Sequence, residues 1–157
     1  MKESENKMRI VVDSREQIRW KFSDKVETVE GSLPTADYSL LNLEDYVAIE
    51  RKEMSDFVAC CGKERARFKR ELHRMQSYRV KAVIVESSWD EICCGQYRSQ
   101  IKPESIIGSV ASWTTKYNIQ FMFASNAKRA AQYCEALCRN YLQLLQSIDK
   151  AVKENGG

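Results

Sequence analysis

The stretch TADYSLLNLEDYVAIERKEMSD, residues 35–56, decides the fold. Strand-forming residues at 37–41 and 46–51 flank a short segment rich in Asn, Glu and Asp, and this pattern predicts a β-hairpin. A helix is expected to begin near Ser55, directly after the hairpin. The second strand is apolar until Glu50, so it is expected to be buried along most of its length.

Further elements are predicted on both sides of the hairpin from apolar runs and helical spacing. Strands are expected at 8–12, 80–86 and 119–124. Helices are expected at 63–78, at 88–93, from Pro103, because proline suits a first turn, and after Ser125, which could cap the last helix. Strands first and then strands alternating with helices predict a mixed α/β fold.

Three charged residues of the hairpin are expected to meet at one end of the sheet. Residues two apart in a strand point to the same face, so Glu50 and Lys52 project together and Arg51 projects the opposite way. Asp37 begins the preceding strand, and the hairpin brings it opposite Glu50. Their spacing, Asp-x12-Glu-x-Lys, matches the PD-(D/E)xK nuclease pattern, although charged residues on a hairpin can also simply keep an edge solvated.

Two carboxylates and an amine at one point suit phosphodiester cleavage. Carboxylate oxygens favour Mg²⁺, with Mn²⁺ as a substitute, and an ammonium group stabilises charge that develops on the phosphate. A second acidic cluster follows the first strand: Asp13 could supply a further metal ligand and Glu16 could assist through water. The alternative for Asp13 is a turn residue that bonds its own backbone.

A basic stripe is predicted on the helix at 63–78. The segment from Lys63 to Lys81 contains eight basic residues and only two acidic ones, Glu64 and Glu71, whereas the whole chain has a net charge of only +3. Such focusing suits the phosphates of DNA; the alternative is an ordinary solvated face. The candidate DNA contacts are Lys63, Arg67, Arg70 and Arg74 on the stripe, Arg65, which lies nearer the apolar side and could point to the cutting site, and Arg15 beside the acidic cluster.

The composition is that of one globular domain. The chain has 157 residues, of which 43% are hydrophobic, and no apolar run approaches the roughly 20 residues that span a bilayer. The polar N-terminus lacks the apolar core of a signal peptide, which predicts a cytoplasmic protein, and the six cysteines lack the spacing of a zinc site. A single domain is expected at 8–149, between a flexible N-terminus at 1–7 and a frayed tail at 150–157.

Two motifs in order make the chain resemble the nuclease domain of the XPF family of structure-specific endonucleases. The family opening Val-x-x-Asp-x-Arg-Glu corresponds to IVVDSRE at residues 10–16. The family motif Gly-Asp followed by Glu-Arg-Lys-x3-Asp corresponds to Asp37, the triplet at 50–52 and Asp56, with Ala36 in place of the glycine. The resemblance covers roughly residues 8–141.

The resemblance implies a restriction-endonuclease-like PD-(D/E)xK fold, in which helices flank a mixed sheet. It also implies Mg²⁺-dependent nicking of branched, flapped or junction DNA. Asp37 and Glu50 are the implied central metal ligands, with Asp13 as an outer or second-metal carboxylate. Lys52 is the implied catalytic lysine, and Arg51 and Asp56 are implied to hold the site together or to touch DNA.

Family members usually append helix-hairpin-helix motifs that grip DNA, and this chain has none. Junction selectivity is therefore expected from the nuclease domain, from a homodimer or from a partner protein. The apolar stripe of the last helix, at 127–148, is expected to pack on the sheet and leaves room for a dimer contact. Two alternatives to an enzyme remain: a non-catalytic subunit that binds DNA junctions or scaffolds a nuclease complex, and an interaction protein without DNA affinity.

Overall fold

Six strands form one mixed sheet. The structure, a computed structural model, describes residues 6–156. The strands lie in the order β2-β1-β3-β4-β5-β6, where β3 is antiparallel to both of its neighbours and every other adjacent pair is parallel. Their bounds are β1 (Met8–Asp13), β2 (Val26–Gly31), β3 (Tyr38–Leu40), β4 (Val47–Glu53), β5 (Val80–Glu86) and β6 (Gln120–Phe123). The predicted hairpin is β3–β4, at the centre of the sheet.

Helices cover both faces of the sheet, and the predicted mixed α/β fold is confirmed. They are α1 (Met54–Cys60), α2 (Arg65–Arg74, followed by a 3-10 turn at Met75–Ser77), α3 (Trp89–Cys93), α4 (Pro103–Tyr117) and α5 (Ala127–Glu154). Ser88 and Glu91 form a reciprocal capping box at the start of α3, which satisfies amides that a helix leaves free. Pro103 occupies the first turn of α4, as predicted. No helix between residues 6 and 156 is long and apolar enough to cross a bilayer.

The sheet separates two apolar cores. One core lies beneath α1, α2 and α4 and contains Phe57, Phe68 and Trp113. The other lies beneath α5 and contains Ile49 and Ile84. Strand β4 contributes to both cores because alternate residues of a strand face opposite sides. We call the side of α1, α2 and α4 the front face and the side of α5 the back face.

Three elements differ from the sequence prediction. Strand β2 is not predicted, because it lies at the edge of the sheet, none of its residues is buried and two of its six residues are glutamates. The helix expected at 63–78 begins at Arg65. Ser125 does not cap α5: it lies at φ 70°, and Asn126 accepts the hydrogen bond from the Arg129 amide instead.

The last helix is longer than the sequence analysis predicted. Helix α5 continues to Glu154, so it enters the segment at 150–157 that was expected to fray. Lys153 Nζ lies 2.7 Å from a carboxylate oxygen of Asp149, one helical turn earlier. Ion pairs at this spacing stabilise exposed helix ends. Residues 1–5 of the expected flexible N-terminus, and Gly157, lie outside the described residues. The domain limits 8–149 stay a prediction.

Candidate active site

The register of the hairpin brings Asp37 and Glu50 together. Tyr38 lies opposite Ile49 across the β3–β4 pair, and Asp37 and Glu50 are the next residues of the two strands, facing each other. The amide of Asp37 donates to the Ile49 carbonyl over 3.1 Å. One Asp37 carboxylate oxygen accepts a 2.9 Å hydrogen bond from the Arg51 amide. Backbone groups on both strands therefore fix the position of this carboxylate.

Ala36 takes a left-handed backbone conformation just before Asp37. Its φ is 67°, in the left-handed region that an L-residue other than glycine enters at a cost of roughly 1–2 kcal/mol. This is the position at which the XPF motif has glycine. The alanine methyl is buried in the front core, which offsets part of that cost.

Glu50 carries a buried oxygen without a hydrogen-bond partner. The residue is only 5% exposed, and its Oε2 accepts no hydrogen bond. Burial raises the pKa of Glu50 well above its usual value, and the nearby Glu71 and Asp37 carboxylates raise it further. Burial also raises the pKa of Asp37. An unpartnered buried carboxylate costs free energy, so this oxygen is a place where a cation would be stabilising.

Lys52 shares the front face with Glu50, as predicted from their spacing. Its Nζ lies 3.4 Å from Glu50 Oε1 and 5.4 Å from the centre of the Phe68 ring. Burial alone would lower the pKa of Lys52, but the carboxylates of Glu50 and Glu71 raise it above its usual value. The amine is therefore held as an ammonium beside the two hairpin carboxylates.

Arg51 points to the back face. Its Nε donates to Glu86 Oε1 at 2.6 Å, and its guanidinium lies 5.3 Å from the centre of the Trp20 ring. A terminal nitrogen of Arg51 lies 3.5 Å from Glu16, whose Oε2 also accepts from the Tyr38 hydroxyl. Arg51 thus anchors the end of β4 from behind, while its amide holds Asp37 in front.

Asp13 lies beside Asp37 but is already engaged. The Asp13 amide donates to the Asp37 carbonyl at 2.9 Å. Its two carboxylate oxygens accept from the Leu33 amide at 3.0 Å and from Arg15 Nε at 2.8 Å. Burial would raise the pKa of Asp13, but these hydrogen bonds, above all the one from Arg15, hold it below its usual value. Its role as a metal ligand stays a prediction.

An open cleft of about 730 Å³ on the front face collects most of the predicted residues. Asp56, in the first turn of α1, lies exposed at its rim. Arg51 lies behind the sheet, and Arg70 is exposed on α2 without lining the cleft. The predicted residues that line it are Asp13, Arg15, Glu16, Asp37, Glu50, Lys52, Asp56, Lys63, Arg67 and Arg74.

Arg65 points away from the cleft, contrary to the expectation that it could face the cutting site. Its guanidinium donates to the Ser109 hydroxyl at 2.6 Å and lies 4.8 Å from the centre of the Trp113 ring. Both partners belong to α4. Arg65 thus ties α2 to α4, and nothing in its contacts favours a role in DNA binding.

Glu71 is the cleft residue that sequence reasoning missed. It lies on α2 between the turns that carry Arg67 and Arg74, and it lines the same cleft. Its carboxylate contributes to the raised pKa values of Glu50, Asp37 and Lys52. The available signal was an acid in the middle of an otherwise basic stripe.

The donor set suits a hard divalent cation. Asp37, Glu50 and Glu71 offer carboxylate oxygens, which Mg²⁺ and Mn²⁺ prefer, and Glu50 Oε2 has no competing partner. Across residues 6–156, no three His, Cys, Asp or Glu side chains are already arranged to hold a metal ion. Carboxylates of like charge repel one another, so a cation between them would be stabilising.

Comparison with solved structures identifies the fold. XPF from Aeropyrum pernix in complex with DNA is 25% identical, with a TM-score of 0.70 over 87% of this chain and 66% of the archaeal chain. A second structure of XPF from Aeropyrum pernix is 24% identical, with a TM-score of 0.68 over 90% of this chain and 69% of the archaeal one. This chain therefore spans about two thirds of the length of those proteins. No curated protein sequence matches.

A sequence family covers most of the chain. The profile of the ERCC4 domain matches residues 12–137, a range that begins one residue before Asp13 and includes the whole hairpin. Together with the structural matches, it confirms the resemblance to the XPF nuclease domain and the restriction-endonuclease-like fold predicted from the two motifs. The chain belongs to the ERCC4 domain family.

Proposed function

We propose that this chain is a divalent-metal-dependent endonuclease that cuts branched, flapped or junction DNA. The observation that carries the proposal is the convergence of Asp37, Glu50 and Lys52 in one cleft with basic residues on its wall. Membership of the ERCC4 domain family supports it. The XPF protein from Aeropyrum pernix, similar in fold, was solved in complex with DNA, which supports DNA as the substrate.

Asp37 and Glu50 would hold the cation, Mg²⁺ or Mn²⁺, with Asp13 as an outer carboxylate. Bound there, it would supply charge neutralisation at the phosphate and activation of water. Glu50 is suited to this role because one of its oxygens is buried without a partner. Asp37 is suited because its carboxylate is held in place by the Arg51 amide.

Lys52 would act on the scissile phosphate. As an ammonium, its Nζ donates hydrogen bonds either to the attacking water or to the phosphate oxygens, on which negative charge grows as the bond breaks. Its contact with Glu50 and its position over Phe68 limit where Nζ can lie. Such restraint favours catalysis because a positioned donor needs no reorganisation during the reaction.

Basic side chains of α2 and of the turn before it would hold the DNA backbone. Lys63, Arg67 and Arg74 line the cleft wall, and arginines that neutralise phosphates release condensed counterions. A homodimer or a partner protein that supplies further DNA contacts is part of the proposal. The exposed apolar side chains of α5, Leu144 and Ile148, support such a contact.

The proposal is tested by cleavage of labelled flap, fork, four-way-junction and linear duplex DNA in Mg²⁺ or in EDTA. We expect metal-dependent nicking of the branched substrates. Asp37→Asn and Glu50→Gln should lower the rate by on the order of 100-fold or more, as loss of a central group of such a site does. Glu27→Gln, an exposed glutamate on the edge strand β2, is the matched control and should cut at the wild-type rate.

The same experiment separates the enzyme from a non-catalytic junction-binding or scaffolding subunit. Tight binding to branched DNA without nicking, in Mg²⁺ and in Mn²⁺, would contradict the proposed catalysis and favour the scaffold. Equal nicking by the wild type and Glu50→Gln would place the cutting site elsewhere.

A further inference from the structure

Glu71 is an acid on a face of α2 whose other charged residues at the cleft are Arg67 and Arg74. It lies one helical turn after Arg67 and just under one turn before Arg74, so all three project to the same side of α2 and line the cleft. None of the ion pairs among residues 6–156 includes Glu71. By contrast, Glu64 on the same wall pairs with Arg67 at 3.9 Å. An acid that DNA phosphates would repel, left without a basic partner, needs another explanation.

We infer that Glu71 is a third carboxylate of the cation site, acting with Asp37 and Glu50. The inference rests on the proposed function and extends it, because neither the hairpin motif nor the family match assigns a role to a residue of α2. The helix proposed to bind DNA would then also help to hold the ion.

The independent observation is the buried oxygen of Glu50. Glu50 lines the cleft but is only 5% exposed, and its Oε2 is buried without a hydrogen-bond partner. A cation would stabilise this oxygen, since the ammonium of Lys52 pairs with Oε1 instead. Glu71 is close enough to Glu50 to raise its pKa, so both carboxylates act on the same small volume.

The charges that surround this volume favour a divalent ion. Asp13 is neutralised by Arg15 at 2.8 Å, and Glu16 lies 3.5 Å from Arg51. The charged groups that act on Glu50 are the carboxylates of Asp37 and Glu71 and the ammonium of Lys52, and these four groups together carry a charge of −2 when all are ionised. A divalent cation balances that charge, whereas a site without Glu71 would leave −1.

Binding the ion requires a movement of the Glu71 side chain. No three such side chains between residues 6 and 156 are already arranged around one point. Glutamate has three side-chain torsions, and Glu71 is only half-buried at the cleft surface, so it can turn inward without displacing the helix. Glu71 already lies near enough to Glu50 to raise its pKa, so only a short inward movement is needed.

The test is a titration of the intact chain with Mn²⁺ in the absence of DNA. Electron paramagnetic resonance measures the concentration of free Mn²⁺ at each step. We expect Glu71→Gln to weaken Mn²⁺ binding about tenfold, within the range seen when a group supporting a metal site is removed. Glu64→Gln removes the same charge from the same wall, from a carboxylate that already has a partner, and should weaken binding no more than about twofold. Equal effects of the two substitutions would overturn the inference, because Glu71 would then act only through its charge.

Thermal unfolding in EDTA excludes a merely structural role. Removing a carboxylate that repels Glu50 should leave the midpoint of Glu71→Gln equal to or above that of the wild type. A lower midpoint, together with unchanged Mn²⁺ affinity, would overturn the inference. The proposed function fails in a different way: a wild type that binds Mn²⁺ through Glu71 yet leaves every DNA substrate intact keeps the inference and contradicts catalysis.

Discussion

Glu50 is the residue whose chemistry depends most on its surroundings. Burial raises its pKa above the usual value of 4.5, and Glu71 and Asp37 add to the rise. The sequence predicted Glu50, Lys52 and their shared face, because the two-residue period of a strand is a local property. It could not predict the unpartnered oxygen or the neighbouring Glu71, because both depend on how α2 packs over β4.

A pH dependence of stability follows from the raised pKa of Glu50. Above pH 4.5 the unfolded chain releases this proton while the native protein still holds it, so the native state binds more protons. The free energy of unfolding must therefore fall as the pH rises from 4.5 through the raised pKa. Asp37 shifts in the same direction.

Urea unfolding in EDTA, from pH 4.5 to neutral, should show this fall in the free energy of unfolding, and Glu50→Gln should flatten it. Parallel profiles for the two proteins would contradict the raised pKa.

At the scale of elements, α2 presents two differently used sides. The helical spacing of its charged and apolar residues correctly predicted one basic and one apolar side. Phe68 and Leu72 on the apolar side are buried, as expected. The partners of Arg65, Ser109 and Trp113, are more than forty residues away along the chain. No local pattern could therefore separate Arg65 from its basic neighbours.

Arg65 and Arg67 should respond in opposite ways to substitution by alanine. Arg65→Ala removes a charged hydrogen bond to α4 and should lower the free energy of unfolding by about 1–3 kcal/mol, with little change in DNA affinity.

Arg67→Ala should leave the free energy of unfolding nearly unchanged, because the Arg67 side chain is 81% exposed. It should also reduce the slope of log affinity against log salt by about 1, as expected for one lost phosphate contact. Urea unfolding and fluorescence anisotropy at several salt concentrations measure the two effects, and a reduced salt slope in Arg65→Ala would restore its predicted role.

For the whole molecule, the order of strands places the site at the centre of the sheet. Strands β1, β3 and β4 are adjacent, so Asp13 at the end of β1, Asp37 just before β3 and Glu50 in β4 lie side by side. The sequence predicted these three strands, with β3 and β4 as a hairpin. It missed β2, an exposed edge strand, because edge residues need no apolar side chains.

A bound cation should stabilise the whole chain. A ligand at 100 times its dissociation constant adds about 2.7 kcal/mol to the free energy of unfolding, which for a chain of this size raises the midpoint by roughly 5–10 °C. Calorimetry in Mg²⁺ and in EDTA should show this rise for the wild type. Glu50→Gln, which keeps the shape of the side chain but loses the charge, should show little of it. A rise of the same size in both proteins would mean that Mg²⁺ binds outside the cleft.

The position of Arg51 between Glu50 and Lys52 has a consequence for sequence change in this protein. Glu50 and Lys52 serve the front of the sheet, and Arg51 is bound to Glu86 and Trp20 at the back. Insertion or deletion of a single residue within β4 would move every later side chain of the strand to the opposite face of the sheet. The carboxylate and the ammonium would then be driven into the apolar layer beneath α5, and a guanidinium would occupy the cleft. Length variation is therefore tolerable in the loops around β4, but within the strand it would remove the site and the anchor together.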